Sequence, residues 1–287
     1  MLYKDKRTYP RVYGLGNKPL GLWLRARLAL QKFNTKLWYY TLSLLAQDDV
    51  IFLNYGYATT DAGGATLELE AVDEANRYPI QLYHRVASAV DLRGKDVLEV
   101  GSGRGGGAAF IQKYMHLRSM TGVDFCGKAV KFCRRRHGHE KLSFIQGDAE
   151  NLPFPAEFFD AVVNLESCHC YTSVTRFLTH AARVIRSGGH LLFADVGPKP
   201  YIDTLRGHIA QCGLSIEEEE DITPAVSCAL RITSEQNRKK IQKEVPVGLR
   251  SIFRNFAGIQ DTPVFEACGA GEWVYIRFVL KKAASYT

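Results

Sequence analysis

The sequence predicts an α/β chain built on a doubly wound, mostly parallel sheet, and three observations carry that expectation. Seven short apolar runs lie between residues 96 and 282. Patterns of about ten residues with helical periodicity separate most of them. A glycine-rich turn, VLEVGSGRGGG (97–107), joins the first run to the first helical pattern. Strands alternating with helices in this way imply βαβ units and a parallel sheet.

The runs are DVLEVG (96–101), SMTGVDF (119–125), LSFIQGDA (142–149), FDAVVNLES (159–167), GGHLLFADV (188–196), LSIEEEEDI (214–222) and EWVYIRFVLKK (272–282). Between them, helices are expected from about residue 105, over 127–136, over 174–186 and near 201–212. Upstream, 71–90 reads as helix because Leu82, Val86 and Val90 stand four apart, whereas TTDAGGAT (59–66) reads as a loop. Residues 21–46 place apolar and basic residues at spacings that suit one or two helices. A further helical segment is expected from after Thr223 to about Gly258. Its charge run, Arg238-Lys239-Lys240, fits a solvated helix face. The expected division is a helical cap or lid over 1–70 and a main domain over 71–287 with a helical insertion at about 224–258.

Composition narrows the function classes. The chain has 287 residues, 46% apolar and 23% charged, with 37 Lys+Arg against 30 Asp+Glu. That composition suits a folded globular protein. The +7 excess is uneven: residues 1–46 hold nine basic residues against Asp5 alone, and the remainder holds 28 basic and 29 acidic. A uniformly basic nucleic-acid binder is disfavoured. No run reaches the ~18–20 apolar residues of a membrane-spanning helix, and the first residues lack a signal-peptide pattern. Seven cysteines, an odd number without CxxC, read as reduced thiols in a cytosolic protein. Cys168-His169-Cys170 is too closely spaced for a standard zinc set.

The glycine loop is the strongest signal. Glycines let the backbone turn sharply and bring a ligand to a helix N-terminus, where free N–H groups favour negative charge. Gly101, Gly103 and Gly106 satisfy G-x-G-x-x-G, so a dinucleotide cofactor is one reading. The context adds Asp124 at the end of the next run, 21 residues after Gly103, where a carboxylate can accept from both ribose hydroxyls. Gly147-Asp148-Ala149 closes the third run and is followed by ENLPF. Phe159-Asp160-Ala161 opens the fourth, and Arg186-Ser187-Gly188-Gly189-His190 turns into the fifth.

Together these residues resemble the class I S-adenosylmethionine-dependent methyltransferases. The resemblance implies a Rossmann-like seven-stranded sheet with an antiparallel last strand, and S-adenosylmethionine as cofactor. It assigns Glu99, Gly101 and Gly103 to the methionine end, Asp124 and Phe125 to ribose and adenosine, and Asp148 and Ala149 to adenine. Asn164 would line the methionine side. An N-terminal aromatic segment carrying Tyr55 and Tyr57 would close over the cofactor. DDVIFLNYGYA (48–58), DEANRYPIQLYHR (73–85), ESCHCY (166–171) and FAGIQDTPVF…GEWVYIRF (256–278) look like the phthiotriolone/phenolphthiotriolone dimycocerosate methyltransferases and related glycolipid and polyketide enzymes. The likeness to sterol and terpenoid C-methyltransferases is looser.

Some residues have plainer readings. Gly107 suits close helix–strand packing, and Asp160 suits a structural turn. Glu99 in a buried strand is a costly charge unless paired, which favours a ligand role.

Methyl transfer needs the acceptor positioned and a proton managed. For a hydroxyl acceptor His169 is the first candidate base, because it follows the fourth strand at the ligand-binding edge of an open sheet. Glu166 is the second, and His84 fits a helix face better. An alkene acceptor would instead need aromatic faces for a carbocation, which Tyr55, Tyr57, Tyr171, Tyr201 and Trp273 can supply. A cofactor-binding scaffold without turnover is the third reading. No metal is expected, because a sulfonium donor requires none. The expected partner is a lipophilic small molecule. The basic, Trp-bearing segment 1–46 suits a cap, a second subunit or peripheral contact with an anionic membrane.

Overall fold

The computed structural model describes residues 47–59 and 67–284. The helices expected within 21–46, and all but the first residue of the loop 59–66, lie outside the described residues.

The described strands are β1 (Asp96–Val100), β2 (Ser119–Asp124), β3 (Leu142–Gln146), β4 (Phe159–Leu165), β5 (Ile185–Pro198), β6 (Leu214–Asp221) and β7 (Trp273–Lys282). They form one seven-stranded sheet in the order β3-β2-β1-β4-β5-β7-β6. β1 to β5 pair in parallel, and β7 runs antiparallel between β5 and β6. The helices are α1 (Arg77–Ala87), α2 (Gly106–Tyr114), α3 (Gly127–Arg136), α4 (Val174–Val184), α5 (Lys199–Ile209), α6 (Thr223–Glu244), α7 (Arg250–Phe256) and α8 (Pro263–Gly269).

The strands read as near-continuous apolar runs because both faces of the sheet are covered. Side chains alternate across a strand, so Val97, Ala161, Val163, Leu192 and Ala194 enter one core with α1, α2 and α3. Their neighbours Leu98, Val162, Leu191 and Phe193 enter the other with α4 and α5. β6 is the exception. It is an edge strand whose Glu217, Glu218, Glu219 and Glu220 pair with His190, Lys281, Arg277, Arg206 and Arg85.

Two elements differ from expectation. The turn expected at 186–190 lies inside β5 as a bulge: pairing with β4 passes from Phe159↔Ile185 to Ala161↔His190, and Gly188 takes φ +77°. The helical insertion extends beyond 258, because α8 follows before β7. It leaves the sheet at the end of β6, the edge at which β1 to β5 also end, and so it stands beside the ligand edge.

Asp160 behaves as a structural residue. Its carboxylate accepts from the Asp96 amide (2.8 Å) and pairs with Arg186 (2.8 Å). Gly107 is a packing residue, because a methyl group there would overlap the Tyr83 ring. Gly107→Ala is expected to lower stability by about 1–3 kcal/mol, the usual cost of overpacking, seen as a lower thermal midpoint. An unchanged midpoint would show that the α1–α2 contact yields freely.

Candidate active site

An open sheet binds ligands where its strand order reverses, which here falls between β1 and β4. An open cleft lies at that point, a concave place of the kind that small-molecule sites occupy. Gly101 and Gly103 from the loop after β1, Asp124 at the end of β2 with Phe125 just beyond it, and Asp148 and Ala149 after β3 all line it. Glu166, after β4, lines it too.

The loop is built for close approach. Gly101 takes φ +77°, and any side chain there would strike the Ser167 hydroxyl. Asp124 braces the turn: its two carboxylate oxygens accept from the Gly103 amide (2.9 Å) and the Cys126 amide (2.8 Å). Burial pushes the Asp124 pKa up to about 6 against those two hydrogen bonds. Each oxygen keeps further acceptor capacity.

Glu99 stands behind the loop, not in the cleft wall. It is 1% exposed, accepts from the Tyr83 hydroxyl at 2.7 Å, and its Oε2 has no partner among the described residues. Burial drives its pKa up to about 7, opposed by the Tyr83 hydroxyl and the Ala108 amide. The folded protein therefore keeps a proton that the unfolded chain releases above about 4.5, and this group costs stability increasingly as pH rises from there to about 7. Glu99→Gln removes that cost. Its thermal midpoint should exceed the parent's at about pH 8 and converge with it near pH 4.5. A gap independent of pH would refute the buried ionisation.

A strap over 47–58 crosses the mouth. The Arg104 side chain donates to the carbonyls of Val50 and Gln47 while stacking on Phe132 (3.8 Å). The Gly106 amide donates to the Ile51 carbonyl (3.1 Å), and the Tyr55 amide donates to Glu166 Oε1 (2.9 Å). The same Glu166 oxygen accepts from the Tyr275 hydroxyl (2.8 Å). Glu166 holds this place with φ +48°, a left-handed conformation rare outside glycine. Burial pushes its pKa up to about 7, opposed by the Tyr55 amide and the Tyr275 hydroxyl.

His169 follows in a short 3₁₀ turn, Cys168–Cys170. Asp195 on β5 is fully buried and accepts four hydrogen bonds. Two come from His169, its amide (2.8 Å) and its Nδ1 (2.6 Å). The others come from the Val196 amide (3.0 Å) and the Tyr201 hydroxyl (2.6 Å). Nδ1 is committed to Asp195, and the Cys170 thiol also hydrogen-bonds the ring. His169 itself is not among the residues that line the cleft, although its neighbours Ser167 and Cys170 are. Burial opposes a charge on the ring, but the Cys170 thiol and the Asp195 carboxylate outweigh it and hold the His169 pKa well above the usual imidazole range.

Three further residues differ from their expected positions. Asn164 is fully buried. It donates to the Val100 carbonyl (2.8 Å), Ser167 Oγ (2.7 Å) and the Tyr171 hydroxyl (3.0 Å), shaping the cleft wall from behind. Tyr55 and Tyr57 pack against the core beside the cleft, while Ile51, Leu53 and Asn54 line it. His84 lies on α1 against Phe110, as a helix-face residue does. Sequence reasoning also missed Tyr83, Ser102, Cys170 and Thr172 in the wall, of which only Ser102, inside the glycine loop, carried a signal.

A glycine loop under a strap, an acid at the end of β2 and a buried carboxyl with an unmatched oxygen fit a cofactor that carries ribose and an amino-acid tail. The fold and site are those of an S-adenosylmethionine-dependent methyltransferase. The methyltransferase-domain family matches residues 98–193. A phthiotriol/phenolphthiotriol dimycocerosates methyltransferase of Mycobacterium leprae is 38% identical, over 83% of this chain and 87% of its own. A fatty-acid O-methyltransferase of Mycolicibacterium smegmatis is 39% identical over 76% and 78%. Among solved structures, geranyl diphosphate methyltransferase with GPP and sinefungin aligns with a TM-score of 0.65 at 15% identity, over 88% and 100% of the two chains. The chain belongs to the family of the phthiotriol/phenolphthiotriol dimycocerosates methyltransferases, and it is an S-adenosylmethionine-dependent enzyme.

Proposed function

We propose that the enzyme methylates a hydroxyl group of a lipophilic acceptor, with His169 as the base. The observation that carries this reading is the His169–Asp195 pair: a buried carboxylate orients the ring of a histidine that stands in the chain between two cleft-lining residues, Ser167 and Cys170. The named chemistry of the relatives, methylation of mycobacterial lipids and of fatty acids, supports a lipophilic acceptor.

S-adenosylmethionine supplies a methyl group already activated on sulfur. Asp124 would accept from the ribose hydroxyls, Phe125 would flank the adenosine, and Asp148 and Ala149 would border adenine. Gly101 and Gly103, with Glu99 behind them, would hold the methionine end. Glu166 would keep the strap closed through the Tyr55 amide, which excludes water from the reacting atoms. His169 would take the acceptor's proton as the oxygen–methyl bond forms. Residues 1–70 are read as a cap over the domain that follows, with residues 1–46 available for an anionic membrane or a second subunit. The seven cysteines, all free thiols, support a reducing, cytoplasmic setting.

The test is incubation with methyl-labelled cofactor and a panel of hydroxylated lipids, with product NMR. A methoxy signal supports the proposal. A carbon-bound methyl would replace it with C-methylation, and cofactor binding without any transfer would leave only a scaffold.

A further inference from the structure

The helical insertion carries a surface that the methyltransferase reading does not use. Residues 223–256 hold seven basic residues against Glu235 and Glu244. The inner face of α6 is mostly apolar: Val226, Ala229, Leu230 and Ile241 are buried, with Ser234 accepting from the Gln260 amide among them. On the outer face Ile232, Gln236, Lys239 and Lys243 are spaced i, i+4, i+7, i+11, one stripe of a helix, and all four are exposed. The stripe leads into the turn Val247–Leu249, where Val247 is 76% exposed, and on to Ile252 of α7, 41% exposed. Lys243 and Arg254 are exposed beside them, with no ionic partner among the described residues. Val247 and Ile252, with Ile232 on the stripe, thus present aliphatic side chains to water among the cations Lys239, Lys243 and Arg254.

The tip is connected to the mouth of the cleft. Ile241, Val245, Phe253 and Ile259 form a small core against which Leu53 packs, and Leu53 lines the cleft. Lys240 pairs with Asp49 at 2.6 Å, fastening the strap to α6. Among the described residues no helix is long and apolar enough to cross a membrane, so contact with a bilayer would be at its surface.

We propose that the α6–α7 tip docks the enzyme on an anionic lipid surface, with Val247 and Ile252 entering the headgroup boundary and Lys239, Lys243 and Arg254 meeting lipid phosphates. Docking there brings the strap and the cleft mouth to the bilayer from which a lipophilic acceptor must come. The proposal rests on the lipid-acceptor reading for its purpose, but not for its test. An acidic protein partner would account for the cations but not for the exposed Val247 and Ile252 among them. Basic side chains near an anionic membrane each strengthen binding about fivefold, and a buried aliphatic side chain adds a comparable or larger factor.

The experiment is flotation of the full chain with phosphatidylcholine vesicles, with and without phosphatidylglycerol. The parent is expected to bind the anionic vesicles at low salt and to be released by high salt. Lys243→Glu/Arg254→Glu and Val247→Glu/Ile252→Glu should each weaken binding by roughly tenfold or more. Both pairs should keep the parent's cofactor affinity and its transfer to a detergent-dispersed acceptor. Parent binding that ignores lipid charge would overturn the proposal, as would unaltered binding by both variants, or flotation with neither vesicle. If the parent floats but transfers no methyl group to any lipid, the function reading fails and the docking surface stands.

Discussion

Replacing His169 by alanine is expected to lower kcat for a hydroxyl acceptor by roughly 10²–10⁴-fold, the contribution of a positioned base, with cofactor affinity unchanged. The selectivity follows from the geometry. The His169 ring bonds Asp195, whereas Gly101, Gly103, Asp124 and Asp148, the residues assigned to the cofactor, belong to the ends of β1, β2 and β3. The pH profile supplies an independent reading. His169 accepts a proton only when neutral, and its pKa is held above the ordinary 6.5. Activity should therefore fall, as pH is lowered, at a pH where an ordinary histidine would still be mostly neutral. Asp195→Asn removes the charge that favours the protonated ring, so the acid limb should move to lower pH while kcat drops. A merely structural Asp195 would not move that limb. Near-full kcat in the alanine variant would transfer the base role to Glu166, which faces the cleft and titrates at about 7.

Asp124→Ala is expected to weaken cofactor binding by roughly 10²–10³-fold, measured by calorimetry. Two effects combine. The variant loses hydrogen bonds from ribose to a charged acceptor, each worth about 1.5–3 kcal/mol. It also frees the Gly103 and Cys126 amides that set the loop. Asp124→Asn should lose less, since one oxygen can still accept. Cofactor affinity within twofold of the parent for the alanine variant would contradict the ribose assignment.

The sheet was legible because its central strands are buried on both sides. DVLEV and DAVVNL are apolar enough to read without knowing their neighbours, and the glycine loop, Asp124 and Gly147-Asp148-Ala149 come from consecutive strand ends. Short-range patterns did less well where the chain answers to distant contacts. α8 has seven residues, too few for a periodicity to show. The 186–190 stretch has turn composition, yet β4 holds it in the sheet as a bulge. Asp195 is the clearest case. It sits 26 residues beyond His169 in an apolar run, and only the β4–β5 register, which sets Leu165 opposite Ala194, brings it under the histidine. The strap shows the reverse error. NYGY drew attention to its tyrosines, whereas Ile51, Leu53 and Asn54 face the cleft and the tyrosines face the core.

The acidic edge strand β6 bears on self-association. A bare edge invites a second copy to add its strand and extend the sheet. Here the outermost strand presents four consecutive glutamates, 217–220, on a backbone already bulged between Ile216 and Glu218. Two such edges brought together would crowd glutamates already held by cations of their own chain and mismatch their ladders at the bulge. The β6 edge is thus a poor template for a strand added from a second copy.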